Sequence, residues 1–276
     1  MGDKQHTVPA CYLANFGIGG NKKRDSLICF LNIESDKTGI TKVSDIVYQN
    51  CFYDEPELGK NSQILEDVFC RIEGDYADLL RNLLQNISSD NLKEYVISAR
   101  EKEELSAQFA IQRVRTEEYR NFYKYIYKQL KEGLPWADIP DYKKKEFRAL
   151  HVQDLLNFKS ANFYANMFTD RDWIFLVNCT DLPFITSDNP IISIEEKSDG
   201  KGLSAASPKV MYYIPLSPKI SVVMVHKDLN KGNCCWNIRN ADFVRLLNRQ
   251  LYKQCTRFLL SNVPFVKREE KENDKT

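Results

Sequence analysis

Short apolar runs alternate with turn residues over the first fifty positions, a pattern typical of β-strands. Ser26–Ile33 is apolar and rich in strand-forming residues, and Glu34–Gly39 has the composition of a turn. A second, partly alternating segment runs from Ile40 to Tyr53. The two segments predict a β-hairpin near the N-terminus, and we expect it to join a sheet formed by later strands.

The middle of the chain repeats its apolar positions at helical spacing. One helix is predicted over 61–87, with Asn61 or Ser62 as its N-cap. A shorter helix and then a long one, over about 102–130, follow it. Another long helix is predicted over 141–168. It is apolar on two sides and is therefore expected to be central in a bundle of long helices.

Strands return after this helical region. Apolar runs predict four of them: 172–179, 182–196, 210–218 and 219–226. A C-terminal helix is predicted over about 238–261. Hairpin, helices, strands and helix do not alternate regularly, so we expect an α+β fold with a mixed or antiparallel sheet. Residues 1–262 are predicted to form a single domain, and 263–276 a charged, disordered tail.

Composition narrows the class of protein. Of the 276 residues, 43% are hydrophobic and 28% charged, and the net charge is +1. This near-neutrality gives no global basic field to collect nucleic acid, although a local basic patch is compatible with it. No apolar run approaches the roughly 20 residues of a membrane-spanning helix, and no signal peptide is recognisable. The eight cysteines form no Cys-x-x-Cys pair. We therefore expect a reduced, cytoplasmic protein without a membrane partner.

Three polar side chains fall on a helix face that should pack against the core. On the predicted helix 102–130, Gln108, Gln112 and Arg115 share the arc of the apolar residues. Burying a lone guanidinium costs several kcal/mol, so Arg115 needs a partner or a cavity. The two amides also require hydrogen-bond partners.

Two carboxylates on the preceding helix are candidate partners. Glu66 and Glu73 are seven residues apart and border the apolar face beside Phe69 and Leu80. They could clamp Arg115, coordinate a divalent cation, or act as general acid and base. A structural ion-pair network that locks two helices together is the fourth alternative, and the sequence leaves all four open.

Further polar groups lie beside apolar positions of the later helices. His151 lies beside Leu155 and Phe158, where a histidine is more often a satisfied core residue. Asp154, one turn further on, is a candidate to fix its tautomer. Asn248 lies at the edge of the apolar face of the last helix, where an amide typically bonds to the backbone.

A polar apex interrupts the strand region. Ser187, Asp188 and Asn189 separate the apolar runs Phe184–Thr186 and Pro190–Ile192. Asp and Asn tolerate turn geometry, which favours a well-made turn. A carboxylate and an amide at a strand end are also typical of a ligand site. Both interpretations stay open.

Several short segments occur in an order that is known from one protein family. They include HTVPACYLANF (6–16), AQFAIQRVR (107–115), PFITSDNPI (183–191) and YYIPLSP (212–218). Together they resemble the domain-of-unknown-function family catalogued as forty-two thirty-eight, which is found mainly in bacteria and also in some fungi. The likeness extends roughly over 6–261 and implies no settled activity.

The family pattern can be carried over residue by residue. It falls on His6, Pro9, Glu66, Glu73, Gln112, Arg115, Ser187, Asp188, Asn189, Pro190 and Asn248. Ala14 and Asn15 stand where the family has a basic residue before Phe16, so no cationic role is carried over there. We hypothesise that the N-terminal segment places His6 across a site formed by the helices, with Pro9 fixing the chain direction. The alternative is a frayed terminus with His6 in solvent.

The first function hypothesis is a hydrolase that acts on a phosphate-containing substrate, a nucleic acid or a nucleotide. The predicted catalytic groups are His6, Glu66, Glu73 and Asp188. The predicted substrate-binding groups are Gln112, Arg115, Asn189 and Asn248. A divalent cation on the glutamates and Asp188 is an open question, and the family's scattered distribution suggests bacterial defence. The alternatives are a non-catalytic module that binds an anion or a peptide, and a buried polar network that only specifies helix packing.

Overall fold

The computed structural model describes most of the chain. The described residues are 4–20, 23–54, 64–88, 96–135, 137, 144–195, 204–229, 232 and 234–266. In chain order the strands are β1 (Lys4–His6), β2 (Leu27–Asn32), β3 (Lys37–Lys42), β4 (Tyr48–Asn50), β5 (Asp172–Asn178), β6 (Thr186–Ser187), β7 (Ile192–Glu195), β8 (Val210–Pro215), β9 (Ile220–Val225), β10 (Cys234–Ile238) and β11 (Phe258–Ser261). The α-helices are α1 (Ala10–Leu13), α2 (Ile64–Ser88), α3 (Ala99–Val114), α4 (Glu117–Gly133), α5 (Lys144–Asn157), α6 (Lys159–Thr169) and α7 (Ala241–Gln254).

The described strands form three sheets. β1 and β4 pair in a two-stranded sheet, a second sheet has the order β3-β2-β11-β6, and a third has the order β10-β5-β9-β8-β7. Neighbours are antiparallel except β5 and β10, which are parallel. The α+β fold class is therefore confirmed. The predicted N-terminal hairpin is present as β2 and β3, and it joins strands from the second half of the chain.

Two apolar clusters hold these layers together. The main cluster contains residues from Val8 to Leu260, and the rings of Phe109 and Trp173 stack within it at 5.5 Å between centroids. A second cluster packs α7 against the five-stranded sheet. Residues near both ends of the described chain contribute to the main cluster, and the single domain stays a prediction.

The predicted long helix over 102–130 is wrong in one respect, because the structure divides it into α3 and α4. Arg115 ends α3, and Thr116 has an extended conformation with ψ 161°. The Thr116 hydroxyl accepts a hydrogen bond from the backbone N–H of Tyr119 at 3.2 Å, which is the N-cap arrangement. The apolar periodicity continues across the break, so periodicity alone did not reveal it.

The predicted helix over 141–168 is also two helices. Phe158 separates α5 from α6 in a left-handed conformation with φ 51°. The Asp154 carboxylate accepts hydrogen bonds at 3.0 Å from both the backbone N–H and the hydroxyl of Ser160, which stabilises the first turn of α6. The first positions of this prediction, up to 143, lie outside the described residues, as do the proposed N-caps Asn61 and Ser62.

The C-terminal helix was predicted too long. α7 ends at Gln254, and the residues that follow turn into β11, which pairs with β2 and β6. β10, which pairs with β5, was not predicted. The short segment Phe258–Ser261 fits a strand or a helix by its pattern, and pairing with the sheet decides between them. Most of the predicted disordered tail, 267–276, lies outside the described residues.

Candidate functional site

The Arg115 side chain is buried among protein groups. Its Nη1 donates to Glu73 Oε1 at 2.8 Å, its Nη2 to the carbonyl of His6 at 2.6 Å, and its Nε to the Tyr53 hydroxyl at 3.3 Å. The guanidinium also lies 4.1 Å above the Phe69 ring, and the side chain is 1% exposed. Burial opposes the charge, but Tyr53 and Glu73 hold the pKa of Arg115 above its usual range. Of the four alternatives, this geometry favours the ion-pair clamp.

Other predicted site residues surround this ion pair without being fully hydrogen bonded. His6 and Gln112 are buried, and His6 Nε2, Gln112 Nε2 and Glu66 Oε2 have no hydrogen-bond partner among the described residues. Gln112 Oε1 accepts a hydrogen bond from the Tyr76 hydroxyl. Burial lowers the pKa of His6 to about 4 and raises the pKa of Glu66. The structure thus brings His6, Glu66, Glu73, Gln112 and Arg115 together, with neutral His6 the stable form.

Asp188 has a different environment. Its carboxylate accepts hydrogen bonds from the backbone N–H groups of Thr256 at 3.0 Å, Arg257 at 2.7 Å and Phe258 at 3.0 Å. Burial raises the pKa of Asp188, and these bonds oppose that shift. The carboxylate therefore connects the loop after β6 to the start of β11, and it is not bonded to the Arg115 ion pair.

The two predicted asparagines also bind backbone. Asn189 Nδ2 donates to the carbonyl of Gln254 at 2.9 Å. Asn248 Nδ2 donates to the carbonyl of Pro183 at 2.9 Å, and its Oδ1 accepts from the N–H of Ile185 at 3.2 Å. Both amides thereby attach α7 to the segment around β6. The backbone role expected for Asn248 is present, and its proposed role in substrate binding stays a prediction.

The expectation that Asp154 fixes the tautomer of His151 is wrong. His151 Nδ1 accepts a hydrogen bond from Arg120 Nε at 3.1 Å, so the ring proton lies on Nε2, which donates to the carbonyl of Val114 at 2.7 Å. Burial and the Arg120 charge lower the pKa of His151 to about 3. His151 is therefore a neutral connector, and Asp154 instead binds Tyr123 and Ser160.

A cavity of about 400 Å³ between α4, α5 and the segment 49–52 is lined by four basic side chains. α4 contributes Arg120 and Lys124 to its wall, and α5 contributes Lys145 and Arg148. We call this the basic cavity. Glu117 is the acidic side chain among the described lining residues, and Arg148 Nε is buried without a hydrogen-bond partner among them. Such a surplus of positive charge around a concave surface is typical of anion binding.

A second cavity of about 690 Å³ adjoins the basic cavity. Gln49, Asn50 and Glu117 line both of them. β4 runs between two residues in the left-handed region, Val47 with φ 54° and Cys51 with φ 53°. A β-branched residue rarely adopts this conformation, which costs about 1–3 kcal/mol and is concentrated at functional sites. The strained residues therefore flank the wall shared by the two cavities, with Val47 lining the larger cavity and Cys51 the basic cavity.

The residues of the basic cavity were missed by the sequence analysis, although a signal was present. Arg120 and Lys124 are four residues apart, and Lys145 and Arg148 are three apart, so each pair shares one helix face. Either pair alone is typical of a solvated face. Only the packing of α4 against α5 makes them converge.

Among the described residues, no group of three or more His, Cys, Asp or Glu side chains is arranged to hold a metal ion. Glu66, Glu73 and Asp188 are not such a group, and the divalent cation stays an open question. In the same described part of the chain, no helix combines the length and the apolar content that crossing a bilayer requires.

Fold and cavities together define an α+β protein with a basic pocket formed by two helices and the segment 49–52. Residues 4–264 match the model of the family described as "Protein of unknown function (DUF4238)". The chain belongs to this family, as the resemblance indicated. Comparisons with curated proteins and with solved structures returned no match.

Proposed function

We propose that the protein binds a phosphate-containing ligand, a nucleotide or a nucleic acid, in the basic cavity. The observation that carries this proposal is the convergence of four basic side chains and one acidic side chain on one concavity. Charge-assisted hydrogen bonds from Arg and Lys to phosphate are among the stronger polar contacts in proteins. The volume of about 400 Å³ lies within the range of small-molecule sites, about 300–1,000 Å³.

Arg120 supports the proposal because it is already held in position. Its Nη2 donates to the carbonyl of Phe52 at 2.7 Å, and its Cζ lies 3.5 Å from the centroid of the Phe52 ring. The bond from its Nε to His151 fixes the guanidinium plane. A positioned cation loses little rotamer entropy when a ligand arrives, which favours binding.

Hydrolysis of the bound ligand is the second part of the proposal. Glu117 lines the basic cavity and accepts a hydrogen bond from Gln49 Nε2, so its carboxylate is both positioned and within reach of a ligand there. It is our candidate general base for activating water. The groups predicted from sequence, His6, Glu66 and Glu73, do not line this cavity.

The binding test uses inorganic phosphate, the four ribonucleoside monophosphates and a short single-stranded RNA in titration calorimetry. Lys124→Gln and Lys145→Gln should each weaken binding about tenfold, because each removes a charge-assisted contact of roughly 1.4 kcal/mol. Raising the ionic strength should weaken binding by the wild-type protein further. Lys209→Gln is the matched control, since Lys209 is an exposed lysine outside the basic cavity.

If all three lysine variants bound with the affinity of the wild-type protein, the basic cavity would be ruled out as the site. The turnover test incubates the same compounds with the protein, with and without magnesium or manganese. Glu117→Gln should abolish hydrolysis while leaving binding within a few fold. Binding without turnover by the wild-type protein would leave the non-catalytic anion-binding module as the function.

A further inference from the structure

A third cavity, of about 310 Å³, lies where the junction of α3 and α4 meets the β6–β7 segment and the end of α7. Its wall differs from that of the basic cavity. It combines the rings of Tyr119, Phe122 and Tyr164 with a cationic side chain, Arg113, and the carboxamide of Asn189. We call this the aromatic cavity. Its size lies at the lower end of ligand sites, so it suits one small planar molecule.

Arg113 presents a flat cation to this cavity. Its Cζ lies 4.9 Å from the ring centroid of Tyr164 and 5.2 Å from that of Tyr212. Nη1 donates to the carbonyl of Ile191 at 2.6 Å, which fixes the plane of the guanidinium. Nε is buried and has no hydrogen-bond partner among the described residues. The part of the guanidinium that lines the cavity is a rigid donor, and it can bind a carbonyl or ring nitrogen of a ligand.

Asn189 supplies the complementary acceptor. The residue is 6% exposed, and its Nδ2 is occupied by the carbonyl of Gln254. No described residue donates to Oδ1, although the residue lines the aromatic cavity. Oδ1 is therefore an acceptor that a ligand N–H in the cavity can use.

We propose that the aromatic cavity binds a single unpaired nucleobase. Heteroaromatic bases are the planar molecules that combine a π-face for stacking with adjacent hydrogen-bond donors and acceptors on one edge. Stacking is provided by Phe122 and Tyr119, and the base edge meets Arg113 and Asn189. The site is separate from the basic cavity, so a nucleoside without phosphate binds it, and the inference holds whether or not phosphate binds elsewhere.

The test titrates the four ribonucleosides into the full-length protein and follows binding by saturation-transfer NMR and calorimetry, with ribose as the control that lacks a base. Nucleosides should bind and ribose should not. Phe122→Ala should weaken nucleoside binding by about 5- to 150-fold, the range expected for loss of one base–aromatic stack. Phe122→Trp should retain binding. Phe122 is 45% exposed, so its truncation leaves the core intact.

Tyr125→Ala is the matched control, because Tyr125 lies on the same helix, is 58% exposed and does not line the aromatic cavity. It should bind nucleosides like the wild-type protein. Equal binding of ribose and nucleosides, unchanged affinity in Phe122→Ala, or no nucleoside binding by the folded wild-type protein would each overturn the proposal. Phosphate titrated alone separates the two sites, since Phe122→Ala should leave phosphate binding unchanged.

Discussion

Glu73→Ala removes the carboxylate from a guanidinium that stays buried. In the structure, Arg115 Nη1 and Glu73 Oε1 are 2.8 Å apart, and the two side chains are 1% and 24% exposed. Loss of one partner from a buried pair costs about 3–5 kcal/mol. Two factors reduce this cost. Glu73 is partly exposed, so solvent screens the ion pair, and His6 and Tyr53 still accept hydrogen bonds from Arg115. We therefore expect the free energy of unfolding to fall by about 2–3 kcal/mol.

The same helix offers a matched control. Asp78 pairs with Arg81 at 2.6 Å, but these side chains are 68% and 57% exposed. Asp78→Ala should therefore change the free energy of unfolding by less than about 0.5 kcal/mol. Urea unfolding followed by far-UV circular dichroism measures the stability of both variants. Equal dependence of the free energy of unfolding on urea concentration (the m-value) shows that the variants differ in stability and not in the surface exposed on unfolding.

A double-mutant cycle separates the ion pair from packing. Arg115→Met keeps much of the apolar volume, and the double variant with Glu73→Ala no longer contains an unpaired buried charge. The double variant should therefore be more stable than the sum of the two single effects predicts, by about 2 kcal/mol. Strict additivity, or equal effects of Glu73→Ala and Asp78→Ala, would refute the assignment of this ion pair as a structural clamp.

Three further predictions concern other groups. Burial lowers the pKa of His6 to about 4 and of His151 to about 3, so the unfolded state binds more protons below pH 6.5. The stability contributed by the neutral rings is complete above about pH 6.5 and falls by roughly 2–3 kcal/mol per histidine on acidification to pH 4.5. In urea unfolding, His151→Gln should lose less stability on acidification than the wild-type protein, and an equal loss would contradict this prediction. Asp188→Ala should lower the free energy of unfolding by about 1–3 kcal/mol, because three backbone N–H groups lose their acceptor; an unchanged Tm would count against it. Thr116→Ala should cost about 1 kcal/mol in the same urea assay, whereas Thr116→Ser keeps the N-cap and should cost little.

Periodicity identified the elements better than it identified their ends. The apolar positions of α3 and α4 follow one another at helical spacing, so the pattern does not show the turn between them. That turn depends on the N-cap bond of the Thr116 hydroxyl, and from sequence Thr116 fits a helix interior equally well. β11 depends on its partners, since Phe258–Ser261 becomes a strand by pairing with β2 and β6. Local pattern carries no information about such distant partners.

Some contacts of the candidate site could be predicted from the sequence, and others could not. Pairing of Arg115 with a carboxylate of α2 follows from the cost of burying a guanidinium, and Glu73 provides it. The bonds of Asp188 and Asn248 go to backbone groups far along the chain, which side-chain identity does not encode. The basic cavity arises from two helices whose basic residues look solvated when each helix is considered alone.

The position of β11 between β2 and β6 affects how the chain acquires its structure during synthesis. Until residues 258–261 leave the ribosome, the β2–β3 hairpin has no neighbour on one side, and its unpaired backbone groups can capture strands of other chains. Pairing across so many intervening residues is also slow, because a long loop must close first. Nascent chains of this protein should therefore depend on chaperones until β11 is inserted, and overexpression without them should favour inclusion bodies.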